Sequence, residues 1–331
     1  MAGSGKAHLG GDDALLRVED LVVEFPTNTK GHKVHAVTGI SLDVRPGETL
    51  GLVGESGCGK STTGRAILQL PQPTGGMVRF DGTDITKLDG EELRQVRTDM
   101  QMIFQDPISS LNPRRSVLDI VMEPLKIWNI GTPEEQLQKA KDVLRTVGID
   151  ADLVGDRKPS QFSGGQCQRI CVARALVLDP KLIICDEPVS ALDVSVQAQV
   201  LNLLEDLKAK YGLALIFIAH DLAVVKNISD RIVVMYLGKM CEVAKSDDLY
   251  ARPMHPYTNA LLRAIPVPDP TVRPNSENRI AGEIPSPVSP PSGCRFRTRC
   301  PAVTEVCAQD EPQLRAMGDG HFVACHHPIA V

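Results

Sequence analysis

The chain has 331 residues, 42% hydrophobic and 23% charged, with a formal net charge of -5. That length carries a full hydrophobic core, either as one large domain with an appendage or as two domains. The acidic balance leaves no electrostatic footprint for nucleic acid, and one Trp, four Tyr and seven Phe offer no platform for base stacking.

Residues 1–13 are small and polar and are expected to be disordered; they lack the apolar core and cleavage site of a secretory signal. No apolar run approaches the ~18 residues of a membrane span. These readings place the protein in the cytosol, where its nine cysteines stay reduced or bind metal. "LLRVEDLVVEF" (15–25) and "HAVTGISLDVRPG" (35–47) read as strands ending in turn residues. "GETLGLVG" (47–54) is a short buried strand. A glycine-rich turn follows, then a helix, "KSTTGRAILQL" (60–70), stopped by Pro71. "TDMQMIFQ" (98–105) reads as another strand.

Residues 106 to about 165 change character and form a helical insert. "SVLDIVMEPLKIWN" (116–129) and "TPEEQLQKAKDVLRTVG" (132–148) read as helices. The second has Thr132 as N-cap, Pro133 at N1 and Glu135 at N3, and Gly148 to end it. Its Leu137, Ala140, Val143, Leu144 and Val147 fall on one face. Alternation then resumes: strand "KLIICD" (181–186), helix 195–212, strand "LALIFIAH" (213–220), helix 221–229, and strands 231–238 and 239–245. This pattern predicts a mainly parallel sheet covered on both faces. From Arg252 to Pro291 prolines are dense, which reads as an extended connector, 251–293, holding a short helix. A Cys-rich segment, 294–331, closes the chain.

"GESGCGKST", Gly54 to Thr62, matches G-x-x-x-x-G-K-[ST] between a strand and a helix, where a phosphate-binding loop belongs. Its glycines, Gly54, Gly57 and Gly59, let backbone N–H groups of the loop, those of Ser56, Cys58 and Thr62 included, turn toward phosphate oxygens. Lys60 is placed for the β- and γ-phosphates of a nucleotide and the Ser61 hydroxyl for Mg²⁺. "LIICDEP" delivers Asp186 at the C-terminal end of a buried strand, where ligands sit in such sheets. Asp186 suits Mg²⁺, and Glu187 suits polarisation of an attacking water. Alone, an acidic pair after an apolar strand is more often a strand end meeting solvent.

"FSGGQCQRICVARAL" resembles the ABC signature, with Phe162 in the position usually held by Leu and Ser163, Gly164, Gly165 and Gln166 intact. The order phosphate loop, Gln105, SGGQ, Asp186–Glu187, "SALD" (Ser190 to Asp193) and His220 resembles an ABC ATPase over residues 14–250. The resemblance implies an α/β P-loop NTPase cassette: a mainly parallel sheet, antiparallel N-terminal strands and a helical subdomain, with a small Cys-rich extension. It also implies a head-to-tail dimer with two ATPs between the phosphate loop of one subunit and the signature of the other. Residue by residue, Phe25 stacks on adenine; Ser61, Gln105 and Asp186 surround Mg²⁺; Glu187 is the general base; and His220 bonds the γ-phosphate. Asp193 belongs to the same site, and Ser163 to Gln166 clasp the partner's ATP. Cys167 stands where close relatives often have Arg, which bears on partner affinity more than on hydrolysis.

Three features narrow the family. "FQDPISSLNPRRSV", "MHPYTNALLRAIP" (254–266) and the tail after "GEIPSPVSPPSGC" resemble the ATPase subunits of bacterial oligopeptide, dipeptide and nickel importers. The implied assembly is a second ABC ATPase, more often a paralogue than an identical chain, with two integral membrane permeases and an extracytoplasmic solute-binding protein. The chain is then a peripheral protein on the cytoplasmic face of the membrane. The competing class is a soluble ABC ATPase acting on ribosomes or DNA. The tail cysteines Cys294, Cys300, Cys307 and Cys325 are spaced C-x₅-C-x₆-C-x₁₇-C. A cytosolic setting disfavours a disulfide, and structural zinc prefers tighter knuckles. The wide spacing suits Cys₄ ligation of a [4Fe–4S] cluster, which the resemblance also implies. Zinc is the alternative, with His326 or His327 as substitute ligands. The remaining Cys58, Cys167, Cys171, Cys185 and Cys241 read as small packed residues.

Overall fold

The computed structural model describes residues 5–11, 13–29, 31–265 and 282–329. The chain falls into two compact units, Met1–Lys87 with Phe217–Val331 and Leu88–Ile216. Parts of the expected disordered N-terminus (1–4 and 12) and of the connector (266–281) lie outside the described residues.

The first unit begins with β1 (Leu16–Pro26), β2 (Lys33–Val44), β3 (Thr49–Val53), α1 (Lys60–Ile67), β4 (Gly75–Phe80) and β5 (Thr83–Asp84). An antiparallel sheet runs β2-β1-β4-β5. Along β1 alternate residues are buried, as a half-buried strand requires, until the register shifts between Val18 and Leu21. Asp20 sits in that bulge with φ 50, and its N–H donates to Ser41 Oγ at 2.9 Å; the extra residue restores the apolar face to the core. Within residues 5–11, His8 is buried, its Nε2 2.6 Å from the Ser41 carbonyl oxygen.

The second unit holds α2 (Gly90–Asp99), β6 (Met100–Ile103), α3 (Val117–Trp128), α4 (Pro133–Thr146), α5 (Ala151–Val154), α6 (Gly164–Leu176), β7 (Leu182–Asp186) and α7 (Val194–Tyr211). β6 and β7 pair in parallel. All five residues of β7 are buried, so a continuous apolar run replaces alternation. α4 begins with the expected capping box of Thr132 and Glu135. One detail of α4 differs from the sequence reading. Leu137 is 37% exposed, while Gln136 is buried. The Gln136 amide donates to the carbonyls of Ile130 and Gly131 at 3.2 and 3.3 Å, so backbone left unpaired past the end of α3 draws a polar residue inward.

β8 (Ala214–Ala219) carries the chain back to the first unit. There follow α8 (Leu222–Ile228), β9 (Arg231–Tyr236), β10 (Lys239–Lys245), α9 (Ser246–Ala251), α10 (Pro256–Arg263), α11 (Val306–Gln309), β11 (Arg315–Gly318) and β12 (His321–Val323). β3 pairs in parallel with β9, β9 antiparallel with β10, and β10 with β12 from the Cys-rich tail. The tail is fastened to β10 by a buried Glu242–His321 hydrogen bond. Glu242 Oε1 lies 2.6 Å from His321 Nε2, and the same carboxylate accepts from the N–H groups of Met254 and His255. Among the described residues, no helix is long and apolar enough to cross a membrane.

Candidate functional site

In the first unit the buried strand β3 runs straight into the glycine loop, and α1 starts at Lys60. Gly54, Gly57 and Gly59 have φ of 152, 78 and 103, a region that side chains rarely enter. Two of them also lack room for a side chain. A Cβ on Gly54 would lie 2.1 Å from the Met235 carbonyl oxygen, and one on Gly59 would lie 2.3 Å from that of Ala36. Lys60 is 4% exposed, and its ammonium donates to the carbonyls of Gly54 and Glu55 at 2.8 and 3.0 Å. The loop therefore curls around its own lysine. Ser56 and Gly57 are exposed at its outer edge, Ser61 and Thr62 are half-buried, and Cys58 is buried. Burial pushes the Cys58 thiol above its ordinary range, so it packs rather than reacts. Phe25 is 37% exposed near the end of β1, as an aromatic kept for a flat apolar ligand would be. His220 is exposed immediately after β8.

In the second unit Asp186, wholly buried, ends β7. Glu187 follows with φ 48, a left-handed conformation uncommon for a non-glycine residue and concentrated at functional sites. Gln105, two residues beyond β6, donates its amide to Glu187 Oε2 at 3.2 Å. Gln105 and Glu187, 82 residues apart, are thus side by side, as a shared role requires. Ser163 caps α6. Its Oγ accepts from Gln166 N, and the Gln166 side chain accepts from Ser163 N at 3.0 Å. Gly165 sits tight against Val196, because a Cβ there would lie 2.4 Å from Val196 Cγ1 and force that side chain to move. Asp193 is the N-cap residue of α7. Cys167 is buried, its thiol directed at the Pro159 carbonyl, so it belongs to the packing under the helix.

The tail cysteines carry no disulfide, nor do the other five. The Cys294 N–H donates to the Cys307 carbonyl at 2.8 Å, which ties the first and third together. Burial first, with smaller contributions from the neighbouring Cys294, Cys300 and Cys307, pushes the Cys325 thiol up to about 11. Among the described residues, however, no group of three or more His, Cys, Asp or Glu side chains is arranged to hold a metal ion. The expected four-thiolate site is not preformed.

Glu55 was not singled out by the sequence. Its N–H donates to Tyr257 Oη at 2.8 Å, and its carboxylate pairs with Arg299 at 2.6 and 3.0 Å. The partners lie 202 and 244 residues away, and no local pattern marks such pairs.

Residues 37–190 match the family model described as ABC transporter, and residues 241–307 match that of the oligopeptide/dipeptide transporter C-terminal region. The chain is 51% identical to the oligopeptide transport ATP-binding protein OppF of Salmonella typhimurium over 324 residues, covering 94% of this chain and 95% of that one. It is 48% identical to AppF of Bacillus subtilis, an oligopeptide transport ATP-binding protein, covering 95% and 97%. Among solved structures it is similar to the ATP-binding cassette MJ0796, solved as a dimer in a post-hydrolysis state with ADP and Pi. The TM-score is 0.63 at 29% identity, over 70% of this chain and 98% of that one.

Proposed function

The chain belongs to the ABC transporter family, in its oligopeptide/dipeptide branch, and we propose that it is the ATP-hydrolysing subunit of a membrane importer of peptides or a related small solute. The carrying observation is that the likeness runs through the tail as well as the cassette. A soluble ATPase serving ribosomes or DNA has no comparable feature in its favour.

The nucleotide roles are part of this proposal, and features within each unit support them. The glycine loop fits phosphate, because its backbone approaches too closely to tolerate a Cβ at Gly54 or Gly59, and backbone N–H groups turned inward by such a loop are donors for an anion. Lys60 is poised to exchange two carbonyl partners for the β- and γ-phosphates. Phe25 offers its ring to adenine. Ser61, Gln105 and Asp186 hold Mg²⁺, which when bound neutralises charge on the phosphates. Glu187 orients and deprotonates the attacking water, and Gln105 holds the Glu187 carboxylate in place. His220 bonds the γ-phosphate. Ser163, Gly164, Gly165 and Gln166 clasp the ATP of a second cassette, and Asp193 lies at the same junction. Catalysis on this reading is positioning plus charge stabilisation.

Cys294, Cys300, Cys307 and Cys325 are the ligands for a [4Fe–4S] cluster, with zinc as the alternative. Support comes from four thiols free of any disulfide, with the Cys294 N–H bonded to the Cys307 carbonyl. The group supplies a structural cross-link to a segment with little apolar core. The assembly comprises this chain, a paralogous ATPase, two permeases and a solute-binding protein, with this chain peripheral on the cytoplasmic face.

The experiment is reconstitution of the assembly in proteoliposomes with peptide-loaded binding protein. Uptake should require ATP and fail with Glu187→Gln in this chain. ATP-driven uptake that continues when this subunit is omitted would refute the reading.

A further inference from the structure

We propose that Arg299, from within the Cys-rich segment, is a positioning residue for the phosphate-binding loop: it grips Glu55 and, through it, sets the loop around Lys60. This rests on the reading of that loop as a nucleotide site.

Glu55 is held on three sides. Its N–H donates to the Tyr257 hydroxyl at 2.8 Å, its carbonyl accepts from Lys60 Nζ at 3.0 Å, and its carboxylate takes both Arg299 nitrogens, Nη1 at 2.6 Å and Nη2 at 3.0 Å. A two-bond Arg–carboxylate pair fixes the plane of the carboxylate as well as its distance. Exposed pairs contribute little, but the Arg299 side chain is only 6% exposed. Loss of Glu55 would take this two-bond carboxylate partner from a largely buried guanidinium.

Arg299 is itself held by the tail. It immediately precedes Cys300, and its N–H donates to the Phe296 carbonyl at 2.9 Å. Phe296 is buried, with its ring 5.2 Å from those of both Tyr236 and Tyr257. The Arg299 guanidinium also lies 5.8 Å from the Tyr236 ring. A second tie runs parallel to the first. Arg295 donates to the Leu237 carbonyl, and the next residue, Gly238, donates its N–H to the Cys58 carbonyl at 2.8 Å. Both arginines lie between Cys294 and Cys300, so the ordering of those two thiols is mechanically continuous with the loop. By linkage, nucleotide binding steadies the tail in turn.

The test uses the full-length chain and its assembled transporter. Equilibrium MgATP binding is measured for the parent, Arg299→Ala, Glu55→Ala, the double variant, Arg299→Lys, Tyr257→Phe and Lys60→Ala. Arg299→Ala and Glu55→Ala should each weaken binding about tenfold, within the ordinary range of coupling between sites, and the double variant should be no weaker than either single one. In the transporter the KM for ATP should rise by the same factor with kcat within about twofold. Arg299→Lys, which keeps the charge but not the two-bond geometry, should recover only part of the loss. Tyr257→Phe, which keeps the ring and removes one oxygen, should weaken binding several-fold and serves if Arg299→Ala does not fold. Parent-like affinity in Arg299→Ala, or in Tyr257→Phe in its place, with binding lost in Lys60→Ala overturns the proposal and leaves the nucleotide site standing. Losses that add in the double variant overturn it too. Unchanged binding in Lys60→Ala as well would sink the nucleotide reading and this proposal with it.

Discussion

A single methyl group added to the phosphate-binding loop separates what its conformation demands from what its neighbours demand. Gly57 and Gly59 both have positive φ, 78 and 103. At Gly57 nothing lies within 4 Å of an added Cβ, whereas at Gly59 the Ala36 carbonyl oxygen would be 2.3 Å away. Gly57→Ala therefore carries only the left-handed cost of an L-residue, about 1–2 kcal/mol. Gly59→Ala carries that and an overlap of roughly 1 Å with a backbone atom of β2, which cannot swing aside as a side chain would. Overpacking of this kind adds about 1–3 kcal/mol, for a total of about 2–5 kcal/mol. Urea unfolding of both variants, followed by far-ultraviolet circular dichroism, should place Gly59→Ala below Gly57→Ala by about 1–3 kcal/mol on these terms. MgATP affinity should fall in the same order, since Gly59 also opens α1 and sets where its N–H groups point. Gly57→Ala as destabilising as Gly59→Ala would refute the reasoning, because it would mean that backbone conformation alone, and not the approach of β2, requires glycine there.

Lys60→Ala should lose at least tenfold in MgATP affinity, since the buried ammonium is the cation of the phosphate cradle; equilibrium binding at unchanged strength would contradict its role. Glu187→Gln should bind MgATP yet slow turnover of the assembled transporter by about 10²–10⁴-fold, the ordinary contribution of a general base, and a loss of only a few-fold would remove it from that role. Protein purified without oxygen should contain iron and acid-labile sulfide that fall in Cys307→Ser, whereas stoichiometric zinc without iron would refute the cluster. In metal-free protein the Cys325 thiol, pushed up to about 11, should be only about one-thousandth thiolate at pH 8. Its alkylation rate should climb roughly tenfold per pH unit toward that value, and a flat profile above pH 8 would show the thiol to be ordinary.

The sequence made the strand–loop–helix around Lys60 legible because its signal is local: an apolar run, glycines at fixed offsets and a helix start within fourteen residues, 49–62. The same holds for α4, whose Thr132–Glu135 box was readable before its geometry. β7 and β8 were readable as continuous apolar runs. The segment 75–97, with β4, β5 and most of α2, was not read, and Thr98 and Asp99, read as the start of a strand, end α2 instead, because α2 buries only Leu93 and Thr98 of its ten residues and leaves little periodicity. The inward turn of Gln136 escaped for a different reason. Helical periodicity counts apolar residues, and cannot see that carbonyls beyond α3 need a donor. Least legible was Glu55. Its loop position was in plain view, but Tyr257 and Arg299 reach it only after the whole chain has folded, and neither belongs to a repeating pattern that would assign it a face.

The signature segment raises a question of capacity that the hydrogen bonds answer. Ser163 and Gln166 already satisfy each other's backbone at the start of α6, so they could look spent before any nucleotide arrives. A hydroxyl has one donor and two acceptor sites, and capping draws on an acceptor: Ser163 Oγ accepts from Gln166 N at 3.3 Å. Donation through the O–H to a phosphate oxygen is compatible with that bond and is aided by it, since the cap fixes the oxygen at the positive end of a thirteen-residue helix. Gln166 is different: its Oε1 accepts from Ser163 N at 3.0 Å, which leaves its NH₂ as the group able to turn outward. Gly164 and Gly165 contribute only backbone, and at Gly165 a larger residue would have to displace the Val196 side chain. The segment is thus fixed on its own helix and still offers donors, so its capping bonds leave it able to bind an anion.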